Sequence, residues 1–385
     1  MRNSKEICHK ASKRTPGKEK APAAAKQNQD LSMNQQPNVT ETASIKPRNI
    51  DLLPQKAINH KVDELRKQAR QATFVAGRLA LAGQITVFFA GPNTGKTLIT
   101  LALLSEARAN GTAGDHTYHI NLDDSFEGQI QKADLGNRHG FLEVTPQTFV
   151  DPLANFIELV DALVEEGSAK EAIFILDTLK KFTNPMDKKQ SSQFMSVCRR
   201  FTSAGGTIIA LSHTNKHTDN ENKGIPAGTS DVLDDCDCAY ILNITEEQKS
   251  QGGMKRIVEL NNIKNRGPVA HGALYSYIAN DDADYEQMFY SVKLIDGNEA
   301  DSLRAKKTLQ FELEKDRDTI LAITQLLNSS PPLIQKDIVN TLTYSLQLPR
   351  RIIKACLRRW SCPAEEGGIW TISKGNKNSN FYKLN

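Results

Sequence analysis

Across residues 80–295 short apolar runs alternate with stretches of helical periodicity. The runs Ile85–Ala90, Tyr118–Leu122, Ala172–Leu176 and Thr207–Leu211 have strand length and few polar positions, the pattern of strands covered on both faces. Between them the spacing predicts helices over 95–109, 152–166 and 189–203. Strand and helix in alternation predict an α/β domain with a mostly parallel sheet. Two later runs, Met254–Ile263 and Ala273–Ile278, predict an antiparallel extension of it.

The flanks read differently. Residues 1–50 are rich in Lys, Ala, Gln, Asn, Ser and Pro and carry few large apolar side chains, too few to offset the entropy of ordering, so a disordered basic tail is expected. It serves either to touch nucleic acid or as a solvated leader. Ile58, Val62, Leu65, Ala69 and Ala72 recur at helical spacing and predict a short amphipathic helix over 56–72. Residues 302–317 are charge-dense and predict a linker helix. Beyond them, helices are expected at 318–328, 333–345 and 348–360, with Pro331 and Pro332 suited to a helix start. Strands Ile369–Ser373 and Phe381–Leu384 follow, joined by the polar turn Lys374–Asn380. Three helices and a hairpin make the winged-helix pattern, a variant of helix-turn-helix. The expected organisation is a tail (1–50), an N-terminal arm (51–78), an α/β domain (79–300), a linker (301–317) and a winged-helix unit (318–385).

Charge sharpens this division. The chain of 385 residues has a net charge of only +4. Residues 1–50 hold ten Lys/Arg against four Asp/Glu, a net of +6, and residues 302–385 hold fourteen against seven, a net of +7, which leaves −9 for the middle. An acidic centre between basic ends points to nucleic-acid contact at the ends. No run of about 18 apolar residues exists, so no membrane span is expected. The basic N-terminus lacks the apolar stretch of a secretory signal. Cys8, Cys198, Cys236, Cys238, Cys356 and Cys362 are scattered without zinc or disulfide spacing, so a reduced, cytoplasmic protein is expected.

The sharpest chemical signal is Ala90-Gly91-Pro92-Asn93-Thr94-Gly95-Lys96-Thr97, which follows an apolar run and opens a helix. That is the context of a phosphate-binding loop, with Ala in place of its first Gly. Gly91, Pro92, Asn93, Thr94 and Gly95 form a loop whose backbone N–H groups curl around phosphate oxygens, and the helix N-terminus adds its dipole. Lys96 reaches the β- and γ-phosphates of ATP, and the Thr97 hydroxyl serves Mg²⁺. Asp177 ends the run Ala172–Leu176 and is the candidate to hold the Mg²⁺ shell, against helix capping as the plain alternative. Asp123 and Asp124 follow Tyr118–Leu122. They offer a carboxylate to orient attacking water, or else they cap the next helix. His213, after Gly206–Leu211, is the candidate sensor of the γ-phosphate.

The ordered set AGPNTGKT, NLDD, FILDTL, SHTNK, Gly228-Thr229-Ser230-Asp231 and Lys264-Asn265-Arg266-Gly267-Pro268 resembles the RecA-fold ATPases, specifically the RepA/DnaB-type hexameric replicative helicases, over about residues 75–280. The resemblance implies an ATP- and Mg²⁺-dependent helicase on single-stranded DNA, working as a homo-oligomeric ring, a hexamer, in replication of a plasmid or mobile element. Lys96 and Thr97 then bind phosphate and Mg²⁺, Asp177 is the Walker-B acid and His213 the polar sensor. Asp123 stands where the family usually has a catalytic Glu, one methylene longer. Lys264 and Arg266 match the pair that reaches into the neighbouring subunit's site, an arrangement in which a lone monomer hydrolyses little. The channel-lining loops fall at Lys180–Gln193, with Lys180, Lys181, Lys188 and Lys189, and at Thr214–Gly228, with Lys216, His217 and Lys223. Lysines of this kind track a phosphate backbone. Phe182 is the one aromatic candidate for base stacking there.

In the C-terminal unit, Ile352, Ile353, Cys356, Leu357 and Trp360 share one side of a helix and Arg350, Arg351, Lys354, Arg358 and Arg359 the other. With Lys374 and Lys377 on the turn, this suits a recognition helix and wing on duplex DNA. Two rivals stand beside the helicase: a DNA-stimulated ATPase that does not unwind, and a DNA-binding regulator whose ATP site sets its oligomeric state.

Overall fold

The computed structural model describes residues 57–68, 72–114, 116–184, 186–218, 224–226, 230–250, 252–280, 284–329, 332–363, 365, 367–375 and 379–385. The expected tail (1–50) lies outside them. The chain divides into two units, Met1–Ala69 and Arg70–Asn385. In the first, a 3₁₀ turn, Ile58–Lys61, leads into α1 (Val62–Gln68), at the place of the expected amphipathic helix.

The second unit begins with β1 (Phe74–Ala76) and β2 (Ala80–Leu81), a small antiparallel pair. There follow β3 (Ile85–Ala90), α2 (Lys96–Ala109), β4 (His116–Asn121), α3 (Phe126–His139), β5 (Leu142–Val144), α4 (Pro152–Glu165), β6 (Ala172–Asp177), α5 (Lys188–Ser203) and β7 (Thr207–Thr218). Then come β8 (Gly224–Pro226), α6 (Ser230–Asp235), β9 (Cys238–Ser250), β10 (Gly253–Lys264), β11 (Gly272–Ala279), α7 (Tyr285–Tyr290) and β12 (Lys293–Ile295). The main sheet runs β12-β11-β10-β9-β3-β7-β6-β4-β5, with β8 on β7. Every pair from β9 to β5 is parallel, and β9–β10, β10–β11 and β11–β12 are antiparallel. The α/β domain and its antiparallel extension are thus as the sequence predicts.

Strand alternation sends neighbouring residues into two cores. Phe88, Ile173 and Ile175 pack with Leu101 and Leu104 of α2, whereas Phe89, Phe174 and Leu176 pack with Phe156 of α4 and Phe194 and Phe201 of α5. β3 and β6 are buried at every position, as parallel strands between two helical layers must be. Helix caps follow local chemistry: the Ser125 hydroxyl accepts from Gly128 N at the start of α3, and Asp151 and Asp187 do the same for α4 and α5.

The C-terminal part departs from expectation in two elements: Leu333–Ile334, expected to open a helix, is a strand that adds a third member to the hairpin sheet, and two expected helices are one. The expected linker helix and the helix after it are one continuous helix, α8 (Gly297–Ser329). Lys306 and Lys307 in its first half pair with Glu246 of β9 (2.8 Å) and Glu259 of β10 (2.5 Å). Its last turns bury Ile323 and Leu327 in a separate core with Ile338, Ile353, Leu357, Trp360 and Trp370. That core is completed by β13 (Leu333–Ile334), α9 (Gln335–Leu346), α10 (Arg350–Arg359), β14 (Trp370–Lys374) and β15 (Asn380–Leu384), the strands forming a sheet in the order β13-β15-β14. Among the described residues no helix is long and apolar enough to cross a membrane.

Candidate active site

The ends of four adjacent strands, β3, β7, β6 and β4, carry the candidate residues. Ligands bind outside the carboxyl ends of parallel strands in such sheets. After Ala90 the chain turns through Gly91–Gly95 and enters α2 at Lys96, with Ile99 N closing the first helical bond on Gly95 O (2.9 Å). Gly95 has φ +87°, and a Cβ there would stand 2.6 Å from the Tyr277 ring, so only glycine fits. Asn93 is also left-handed, at φ +56°. Its carbonyl accepts from Tyr277 Oη and Arg256 Nη1, each at 3.2 Å, and Thr94 Oγ1 donates to Gly91 O at 2.9 Å. The loop is therefore held in shape from outside while α2 opens with no acidic residue in its first turn. The N–H groups and dipole of such a helix start favour an anion.

Asp177, at the end of β6, accepts from Thr97 Oγ1 on Oδ2 at 2.6 Å. His119 of β4 approaches the same oxygen, Nε2 to Oδ2 at 3.4 Å, and places Nδ1 2.7 Å from Glu143 Oε2. Glu143 Oε1 accepts from Asn121 Nδ2 at 2.7 Å. Burial alone would raise the Asp177 carboxyl, but His119, Lys96 and Thr97 together bring it down to about 2. Burial alone would likewise lower His119, and the charges and hydrogen bonds of Glu143 and Asp177 raise it to about 9. The peptide bond Asp177–Thr178 is cis.

Asp123 follows β4, and two ammonium groups hold it: Lys180 Nζ lies 3.0 Å from Oδ2 and Lys181 Nζ 3.1 Å from Oδ1. Burial works against the charge, and hydrogen bonds from the two lysines outweigh it, so the carboxyl sits below the usual range. Asp124 has different partners: it pairs with Lys132 of α3 and, at 3.4 Å, accepts from Asn121 Nδ2. His213 on β7 is half-buried, and burial with the nearby Lys96 and Lys180 lowers its pKa. A cavity of about 560 Å³ joins Gly91–Leu98 to Asp123, Asp124, Asp177 and His213. Lys132, Arg256, Tyr277 and Tyr285, which belong to no motif in the sequence, line it as well.

Two observations test whether a nucleoside triphosphate with Mg²⁺ fits here. The Gly95 cradle leaves no room for a Cβ. The Tyr285 hydroxyl at the cavity is buried without a hydrogen-bond partner, a donor suited to a polar ligand. The residues fit: Gly91–Thr97 for phosphates, Thr97 and Asp177 for the cation.

Other candidates lie apart. Lys264 and Arg266 are at the opposite end of the sheet from the loop. Lys264 pairs in register with Ala239, and Arg266 O accepts from Gln84 Nε2 just before β3. Lys264 Nζ donates to Leu233 O (2.6 Å) and Asp234 O at the end of α6, and Arg266 Nη1 lies 3.5 Å from Asp237 Oδ1. They cannot complete the site of their own chain. The expected loop Lys180–Gln193 is largely ordered: Leu179–Lys181 is a 3₁₀ turn and α5 already starts at Lys188, so Lys188 and Lys189 are helix positions. Phe182 is buried among Phe149, Phe156 and Phe194, so base stacking by it is corrected to core packing. The Thr214–Gly228 segment begins as an extension of β7, with Thr214 and Thr218 paired to Pro226 and Gly224 of β8. Lys216 lies on β7, with its side chain outside the described residues, as is Lys223.

On α10, Arg350, Arg351, Lys354 and Arg358 are exposed while Ile353, Cys356 and Leu357 are buried. Two positions are corrected. Ile352 is exposed and outside the buried stripe. Arg359 turns back to α8, pairing with Glu312 (2.7 Å) and with Asp316, which also accepts from Trp360 Nε1 (2.9 Å). Lys374 is exposed at the end of β14, and Lys377 lies outside the described residues. No protein-family model matches the chain, and no curated protein matches it.

Proposed function

We propose that this chain is a Mg²⁺-dependent ATP hydrolase of RecA-like architecture that translocates on single-stranded DNA as a ring of identical subunits and unwinds duplex ahead of it. The C-terminal unit is read as a winged helix that contacts duplex DNA. The observation that carries the proposal is the 2.6 Å bond from Thr97 Oγ1 to Asp177 Oδ2, which joins the phosphate loop to a buried carboxylate inside one cavity. A hydroxyl one residue after the loop lysine and an acid at the end of a neighbouring strand are the two groups that hold the cation in nucleotide-hydrolysing loops of this kind.

In this reading the backbone of Gly91–Gly95 and the Lys96 ammonium bind the triphosphate. Mg²⁺, when bound, neutralises charge on the β- and γ-phosphates. Asp123 accepts the proton of the attacking water and aligns it, and His213 senses whether the γ-phosphate is present. Lys264 and Arg266 serve the site of the next subunit, consistent with their distance from their own loop. Asp123 is engaged by Lys180 and Lys181, and both belong to the segment read as facing the strand. A DNA phosphate that draws these ammonium groups away leaves the carboxylate free for water, which couples hydrolysis to the strand.

The test is steady-state ATP turnover with and without single-stranded DNA. Wild type should be stimulated, and Asp123→Asn should lose about 10²-fold or more of that turnover while still binding ATP. Full turnover in Asp123→Asn would defeat the assignment and favour a nucleotide-controlled DNA-binding regulator.

A further inference from the structure

We infer that His119 is the positioning residue of the metal-holding carboxylate: its ring, anchored by Glu143, fixes the orientation of Asp177. The inference rests on the reading of Asp177 as the Mg²⁺-shell acid. His119 and Glu143 belong to none of the motifs in the sequence.

The arrangement follows from sheet register. His119 of β4 stands directly opposite Glu143 of β5, and Asn121 stands opposite Asp177 of β6. Residues two apart on a strand share a face, so His119, Asn121, Glu143 and Asp177 form one polar row across three strands. The row is interior: the side chains of His119 and Glu143 are 0% and 2% exposed. Burying such groups is costly unless each is satisfied by another. Here each is, by the Glu143–His119 contact at 2.7 Å, the His119–Asp177 contact at 3.4 Å and the Asn121–Glu143 bond at 2.7 Å.

The two ring nitrogens face carboxylate oxygens, which accept and do not donate. With both edges engaged, the ring cannot turn without breaking one of these links. Thr97 and His119 meet Asp177 on the same oxygen, Oδ2, from α2 and from β4. Two donors on one oxygen hold the carboxylate in place, and neither of them touches Oδ1. Thr97 alone leaves the carboxylate free to swing about that single bond. Partners behind a metal ligand typically change metal affinity by about 10–100-fold when removed.

The experiment measures binding of a non-hydrolysable ATP analogue to the full chain by calorimetry, once with Mg²⁺ and once with EDTA. The readout is the gain in affinity that Mg²⁺ confers. His119→Ala should lose about 10-fold or more of that gain, with affinity in EDTA within about twofold of wild type. His119→Gln, which keeps one N–H donor, should recover part of it. An unchanged Mg²⁺ gain in His119→Ala, or an equal loss with and without Mg²⁺, overturns the inference. If His119→Ala does not fold, Glu143→Gln decides: it keeps the size of the side chain and an acceptor for Asn121 while weakening the anchor. A severalfold smaller Mg²⁺ gain in Glu143→Gln supports the inference, and an unchanged gain overturns it. Absence of any Mg²⁺ gain in wild type would remove the metal reading of Asp177 itself, a different failure from an intact gain in the variants.

Discussion

Lys180 Nζ lies 3.0 Å from Asp123 Oδ2, so the carboxylate read as the water-aligning acid is neutralised by its own chain. Lys181 closes on the other oxygen at 3.1 Å. These pairs are partly exposed, which places each at the modest end of ion-pair strength. A polyanionic strand can compete for such lysines. Replacing both, Lys180→Ala with Lys181→Ala, should raise ATP turnover without DNA by about threefold to tenfold. The same variant should flatten the stimulation by DNA. If the two lysines only touch the strand, stimulation falls and the DNA-free rate stays where it was. The DNA-free rate therefore separates the two roles.

The two glycines of the phosphate loop should respond differently to the same added methyl group. Gly95 is left-handed, and its Cβ would meet the Tyr277 ring at 2.6 Å. Gly95→Ala should cost about 1–3 kcal/mol in backbone strain alone and abolish nucleotide binding. At Gly91 the same atom would meet Thr94 Oγ1 at 3.6 Å, an ordinary contact. Gly91→Ala should keep Tm within a few degrees and retain measurable nucleotide affinity. Equal tolerance at both positions would contradict the loop geometry.

Apo-protein stability should depend on pH through His119 and Asp177. His119 is raised from 6.5 to about 9, so the stability from its charge is complete below about pH 6.5 and lost as pH rises through about 9. Asp177 is lowered from 3.8 to about 2, so its contribution is complete above about pH 3.8 and lost as pH falls through about 2. Through His119, Tm should decline by several degrees between pH 6.5 and 9. His119→Gln should lack the alkaline decline. A wild-type decline of the same size in His119→Gln would assign it to other groups.

Much of the site is legible in the sequence because its signals are local. A run of six residues, all apolar but Thr86, followed by Gly91–Thr97 announces strand, turn and helix within about a dozen positions. The helices expected at 152–166 and 189–203 are found at Pro152–Glu165 and Lys188–Ser203. What escapes is set by partners far along the chain. His119 reads as one polar residue in a strand, and only the register with Glu143 and Asp177 makes it part of a row. Lys180 reads as a loop lysine that tracks a DNA backbone, and only the fold brings Asp123 to it across 57 residues. Phe182 sits in a polar stretch, and three distant phenylalanines make it core. The start of α8 separates from its end in sequence because residues 302–317 are charged; the exposed middle of one long helix has the same composition as a linker.

In the C-terminal unit, two sets of basic residues on one helix should separate by assay. Arg350, Arg351, Lys354 and Arg358 are exposed on α10. Replacing these four with Ala should weaken duplex DNA binding, and the dependence of log K on log salt should become shallower by about 0.9 for each phosphate no longer neutralised. Tm should barely move. Arg359 pairs with Glu312 and with the buried Asp316. Arg359→Ala leaves that carboxylate without its cation and should lower Tm by several degrees. A thermal effect of the first set as large as that of Arg359→Ala would contradict this division.

The central claim is that the cavity between Gly91–Thr97 and Asp177 hydrolyses ATP to drive a DNA motor. The measurement that meets it most directly is strand displacement from a forked duplex by the full chain with ATP and Mg²⁺, run beside Lys96→Ala at concentrations that support assembly. The account predicts ATP-dependent displacement by wild type and none by Lys96→Ala. DNA-stimulated turnover without displacement would contradict the helicase, and displacement by Lys96→Ala equal to wild type would contradict the site.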